Sequence, residues 1–460
     1  MQNAAPLKNR CESSPIIRII FSAMVAVVFA AFFVFGPMQT LSLPNAADGV
    51  FLVISCLAIL LLSCLFLNFK VKISSDITYI ALLAIIAAAL ALRFYLFDHQ
   101  SRDYNVFLSQ WLSQMRSLNG VEPITTPIGD YNMPYLYFLF LVSRLPLYDL
   151  YLIKLLSVIF DFVLALGAVK LVSLFIKGDG AVIAAFTASL FVPTLFLNSA
   201  YWGQCDGIYA ALCVWALYLA LSRRPIWSVS LFALAFSFKM QSIFILPIII
   251  FLVLKHKISL KHLTAFPIAF FATLLPAILC GRSFYNTLSI YVDQTSSYPS
   301  LTLNCPSLWA LFSQSDYGFE VFGTAALFLA GGVIVAFGVY VYLNRDKLTD
   351  KLLFDCAFIF TLLLPFLLPR MHERYFYLAE ALSVIYVLLH KDRIYVAPVI
   401  ILTGFCVYSA YLFSNLFIKL ELLSIINAAV IIYVIKKFTA DLSAESHRPA
   451  LKENDKKECF

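Results

Sequence analysis

Apolar runs close to the length of a bilayer span recur along almost the whole chain, at about residues 16–37, 48–68, 77–97, 151–176, 181–199, 206–221, 226–239, 243–254, 263–280, 320–343, 353–369, 376–390, 394–415 and 418–435. Backbone groups inside hydrocarbon have no water to bond, so such runs fold as helices that satisfy their own N–H and C=O groups. We therefore expect an all-α polytopic membrane protein with about 12–14 transmembrane helices. With 62% hydrophobic residues and only 13% charged, the chain has too little polar surface for a water-soluble globule. The first run lacks a small-residue cleavage site and reads as a retained helix.

Basic residues occupy alternate gaps between the runs. Lys8, Arg10 and Arg18 precede the first and Lys70 and Lys72 follow the second; later come Lys170 with Lys177, Arg223 with Arg224, Lys255 with Lys257, Arg345 with Lys347, Lys391 with Arg393, and Lys436 with Lys437. Cytoplasmic gaps are enriched in Lys and Arg, which places these inside together with the N-terminus. The net charge of +7 is thus topological and no sign of nucleic-acid binding. The other gaps then face outward: residues 98–134, YWGQCD, FKMQS, the loop 281–319 and PRMHERY. One segment decides this parity. Residues 135–146 are too short for a full span and read as a half-length or re-entrant helix; Arg144 could equally mark a cytoplasmic end, which would put WGQCD and HERY inside. The charged stretch 439–460 reads as a disordered cytoplasmic tail. Ten cysteines lie singly, without metal-site spacing, so neither a disulfide nor a metal site is assigned.

The outward gaps hold the residues capable of chemistry. In 98–134, Phe107, Trp111, Met115 and Leu118 recur at helical spacing, predicting an interfacial helix with that face in the headgroup region. Asp103 stands just before it, either as a helix cap or as a functional acid at the membrane surface. Trp202, Gln204 and Asp206 cluster at the head of an apolar helix, where an amide and a carboxylate must face protein or water. Lys239 and Gln241 raise the same cost, although a lysine there can also snorkel to the interface. Arg370, His372, Glu373 and Arg374 form the densest group, suited to an anion because guanidinium matches phosphate. No second His follows to make an HExxH zinc site, and no Walker or GxGxxG fingerprint is present. In the loop 281–319, Asp293, Gln294, Tyr298 and Trp309 are suited to bonding or stacking on a sugar, or to forming a structural lid.

The order of an early acidic external loop, YNMPYLY, YWGQCD, KMQSIFILP and LPRMHERYFY resembles the GT-C superfamily of membrane glycosyltransferases, closest to bacterial mannosyltransferase-like members that use polyprenyl-phosphate sugars. The resemblance implies a GT-C fold with a catalytic module over 77–390, extra transmembrane helices over 1–76 and further ones over 391–438. It implies a catalytic Asp at Asp103, a cavity shared with Trp202, Gly203, Gln204 and Asp206, and His372, Glu373 and Arg374 near the donor phosphate. Arg102 and Tyr104 flank Asp103 where relatives with a paired acid carry two, which argues against a protein O-mannosyltransferase.

Chemistry agrees with this inventory. A sugar phosphate releases an already good leaving group, so one base for the acceptor hydroxyl and cations for the phosphate suffice. A glycosidase would need a second carboxylic acid. A single base predicts direct displacement with inversion at the sugar carbon. We therefore expect transfer of a mannose- or glucose-type hexose from a polyprenyl-phosphate donor, as co-substrate, to a glycan, lipid or protein acceptor. No resident cofactor is expected, and metal dependence stays open. A flippase for lipid-linked sugars and an O-antigen polymerase or ligase are the rival readings. No N-x-[ST] sequon lies in the external loops, which favours a bacterial plasma membrane, active on its outer face, over the endoplasmic reticulum.

Overall fold

A computed structural model describes residues 15–296, 300–312 and 316–445. Lys8, Arg10 and Tyr298 lie outside the described residues, as does the tail beyond residue 445. The described chain is almost wholly helical, its one strand pairing being a short parallel ladder of Thr302–Leu303 on Met371–His372. Among the described residues, eight helices are long and apolar enough to cross a membrane, nine if the bent pair Asp179–Phe191 and Pro193–Trp202 counts as one span. Three further apolar helices, Asp206–Leu221, Pro225–Phe238 and Tyr377–Leu389, follow the apolar runs read there but are shorter than the roughly 20 residues of a full span. Asp206–Leu221 packs along Asp149–Val172 and Pro225–Phe238, and both it and Tyr377–Leu389 are largely buried, so protein rather than lipid surrounds them.

The cation-rich gaps gather at one end of the bundle. There Lys170 Nζ donates to the Lys70 carbonyl (3.1 Å), Lys257 pairs with Asp350 (2.7 Å), Arg18 with Asp76 (2.8 Å) and Arg393 with Asp441 (2.6 Å). The Arg393–Asp441 pair and the buried Leu442 also correct the predicted tail, because they keep helix Leu420–Glu445 intact beyond residue 438.

Residues 135–146 do not cross. Helix Met133–Arg144 has only 12 residues, a rise of about 18 Å against a hydrocarbon thickness of about 30 Å. Its start lies beside Tyr131, whose hydroxyl donates to Gln204 Oε1 (3.2 Å). Past its end the chain is back where helix Asp76–Tyr95 finished: Tyr151 donates to Asp98 Oδ1 (2.5 Å), and Lys154 Nζ to the carbonyls of Phe97 (2.7 Å) and His99 (2.6 Å). The segment leaves and returns on one side, so the acidic loop, YWGQCD and HERY share an end of the molecule.

An ion pair locks the interior. Arg93 and Asp161 are both fully buried at 2.8 Å; Arg93 also donates to the Leu190 carbonyl (2.9 Å) and Ser199 to Asp161 Oδ2 (2.5 Å). Removing one member strands the other charge, so Asp161→Ala is expected to destabilise the protein by about 3–5 kcal/mol, read as a lowered thermal unfolding temperature in detergent.

Candidate active site

A break in one helix presents the key side chains. Pro193 cannot donate to the helical ladder and holds Val192 in an extended conformation (ψ 120°), so the helix bends by 51°. The continuation delivers Trp202, and Gly203 at φ +79°, a conformation that favours glycine, turns the chain to Gln204. Trp202 Nε1 (2.9 Å) and Gln204 Nε2 (2.6 Å) both donate to Asp103 Oδ2, and the Tyr411 hydroxyl donates to Asp103 Oδ1 (2.6 Å). Asp103 makes no side-chain capping bond; the amide of Tyr104 bonds Ser101 Oγ instead (3.2 Å). Its oxygens are committed to tertiary partners, which removes the cap reading.

Beneath this carboxylate lies a buried charge cluster. Lys239 Nζ sits 2.6 Å from Asp206 Oδ1, with both side chains nearly inaccessible, so Lys239 does not snorkel. Asp206 Oδ2 also accepts from Asn198 Nδ2 (2.8 Å) and lies 3.6 Å from Arg374 Nε. Arg374 pairs with Glu373 (2.9 Å), and its guanidinium stands 5.4 Å from the Trp202 ring, one indole away from Asp103. Burial would raise the Glu373 carboxyl, but the bond from His372 and the charge of Arg374 hold it below its usual range. Burial likewise disfavours the Arg374 cation, and the charges of Glu373 and Asp206 overrule it.

These groups border one cavity of about 970 Å³. Asp103, Gln204, Lys239, Gln241, Arg370, His372, Glu373 and Arg374 line it, whereas Trp202 and Asp206 lie behind its wall, holding the residues in front of them. Gln241 Oε1 is buried without a hydrogen-bond partner among the described residues, the mark of a group left for water or ligand. Arg370 adopts φ +64°, rare for a side chain of this size, and its amide bonds the Leu301 carbonyl (3.0 Å). The strand pair that follows ties HERY to the loop 281–319.

Two expectations for the loops need correction. The face of Phe107, Trp111 and Met115 is not laid into lipid: Met115 is buried in protein, and Phe107 and Trp111 line the cavity. Helix Ser109–Ser117 packs on Met133–Arg144, so that short helix takes the place the bilayer was expected to fill. Trp309 is no sugar platform, because it is buried with Nε1 on the Leu367 carbonyl (2.6 Å). Gln294 does line the cavity and bonds Asn132 Oδ1 (3.0 Å), while Asp293 is exposed elsewhere.

Sequence reasoning missed Tyr411 and Asp130. Tyr411 is one tyrosine among many in an apolar helix, and only packing brings it to Asp103. Asp130 had a local signal, its place in the run GDYN. Gly129 stands at φ +71° against the Trp111 ring, where a Cβ would come within 2.9 Å, and Tyr131 and Asn132 are bonded behind it, so the turn holds Asp130 toward the cavity. Burial pushes the Asp130 carboxyl up, opposed by its own backbone amide and by Arg374 and Lys239.

Residues 131–368, just over half of the chain, match the family model described as Glycosyltransferase family 87, a family of GT-C-type membrane glycosyltransferases. The matched stretch holds Trp202, Gln204, Asp206, Lys239 and Gln241, and the geometry adds Asp103, Arg370, His372, Glu373, Arg374 and Tyr411 from outside it. No curated protein matches the chain at a significant level.

Proposed function

The chain belongs to glycosyltransferase family 87, and from that premise we propose that it moves a mannose- or glucose-type hexose, with inversion, from a polyprenyl-phosphate carrier to a hydroxyl of a glycan, lipid or protein acceptor. The observation that carries this reading is the pairing, within one cavity, of a carboxylate held by three donors with a cluster of cations one indole away.

Asp103 Oδ2 is filled by its two donors, whereas Oδ1, with the Tyr411 hydroxyl as its one donor, keeps a lone pair free. The acceptor hydroxyl gives its proton to Asp103 Oδ1 as its oxygen attacks the anomeric carbon from the face opposite the phosphate. The bond from that carbon to the phosphate oxygen breaks, and the electron pair leaves with the polyprenyl phosphate, whose added charge falls to Arg370, His372 and Arg374. Asp103 then returns its proton to water. The reaction balances without a resident cofactor. Asp130 is placed to accept hydrogen bonds from acceptor hydroxyls, and Lys239 and Gln241 border the space between. Trp202, Gln204 and Tyr411 position the base, and Asp206 holds Lys239 and Arg374 in register. The cavity lies at the end opposite the lysine-rich gaps, which supports an outward-facing site, and the lack of an N-x-[ST] sequon in the external loops favours a bacterial plasma membrane over the endoplasmic reticulum.

The test uses purified protein in nanodiscs, offered a polyprenyl-phosphate hexose and a nucleotide hexose with a glycan acceptor. Consumption of the lipid donor with inverted product is expected. Transfer from the nucleotide sugar alone, or a retained anomeric configuration, would refute the reading, and an intact donor would turn it toward transport.

A further inference from the structure

A second depression, of about 440 Å³, opens at the opposite end of the bundle. Four lysines line it: Lys70 in the last turn of the Ala46–Val71 span, Lys72 just beyond, Lys170 in the last turn of Asp149–Val172, and Lys177 before Asp179–Phe191. They come from two gaps about a hundred residues apart, as the Lys170 bond to the Lys70 carbonyl records (3.1 Å). A topological rule asks only that lysines lie in the gaps. It does not ask that they converge on one hollow, where like charges repel.

The described lining residues leave an excess of positive charge. Asp179 is the one carboxylate among its described lining residues, and both its oxygens are taken: Oδ1 by the Ser74 amide (3.1 Å), Oδ2 by the Ser74 hydroxyl (2.9 Å) and the Ser75 amide (2.8 Å). Lys170 stands 5.4 Å from the Tyr218 ring, and Lys177 donates to the Ser173 carbonyl (2.6 Å). The exposed ammonium groups of Lys70 and Lys72 have no partner among the described residues. Val71, Leu174, Ile176 and Val182 supply apolar surface at the same spot.

We propose that this depression binds a phosphate-bearing anion through Lys70, Lys72, Lys170 and Lys177. Its place at the ends of two spans makes the headgroup of an acidic phospholipid the first source to test, with free phosphate as the other, since basic hollows between helix ends suit such headgroups. The site is separate from the cavity and stands whether or not the proposed donor chemistry holds.

The experiment follows thermal unfolding of the full-length protein in an uncharged detergent while short-chain phosphatidylglycerol, short-chain phosphatidylcholine or inorganic phosphate is titrated. The comparison variant is Lys70→Gln/Lys72→Gln, which touches no internal bond and leaves sugar transfer unchanged. Phosphatidylglycerol is expected to raise the unfolding temperature, with about ten- to thirtyfold weaker half-saturation in the variant. The same loss seen with inorganic phosphate would support the site and identify the free ion as sufficient. An equal response to phosphatidylcholine, an unchanged response in the variant, or no response to either anion would overturn it.

Discussion

Asp103→Asn is expected to lower sugar transfer by about 10²–10⁴-fold, the range for loss of a positioned general base. The surroundings make this a clean substitution. Trp202 Nε1 and Gln204 Nε2 can only donate, whereas the Tyr411 hydroxyl can turn and accept. The asparagine carbonyl would face the indole and the amide, its NH₂ would face Tyr411, and the fold would be preserved. The measurement is initial rate at saturating lipid donor, beside an unfolding temperature near that of the wild type. Near-wild-type transfer would remove Asp103 from the role of base.

Arg374 carries the second large effect. Arg374→Lys keeps the charge but loses the planar fork that meets Glu373 (2.9 Å) and lies against Trp202 (5.4 Å), so transfer is expected to fall by about 10²-fold, as when a single oriented donor to developing charge is removed. Arg374→Met goes further. Among the described residues it leaves the His372 ring at 3.8 Å beside the buried Glu373 and Lys239 beside Asp206, and should destabilise the fold by about 3–5 kcal/mol. Steady-state kinetics with thermal unfolding separate the effects: the Lys variant should be stable and slow, the Met variant both slow and unstable. A Met variant with wild-type stability and rate would mean that the cluster neither supports the cavity nor assists the leaving phosphate.

Much of the site was legible because charge is rare in an apolar chain. Asp103, Gln204, Lys239 and the residues from Arg370 to Arg374 stand out because they lie in short polar stretches between long apolar runs, where placing them in lipid would be too costly to be accidental. Local reading erred where several partners competed for one surface. The stripe of Phe107, Trp111 and Met115 has the period of an interfacial helix, but period alone does not say whether lipid or the facing helix Met133–Arg144 covers it. Trp309 illustrates the same limit, since an indole in a polar loop turns inward once a free carbonyl, here that of Leu367, lies within reach.

The sequence by itself determined the all-α, membrane-type architecture, the placing of lysines in alternate gaps and the polar gaps that hold the candidate site residues, because these follow from the cost of placing polar groups in hydrocarbon. Only the tertiary structure decided that the 12 residues of helix Met133–Arg144 turn back instead of crossing, and so that Asp103 and Arg374 meet in one cavity. It also decided that Tyr411, 308 residues from Asp103, completes the carboxylate's set of donors. Both outcomes rest on packing and hydrogen bonds between segments far apart in the chain, where the pattern within any one segment carries no information about its partner.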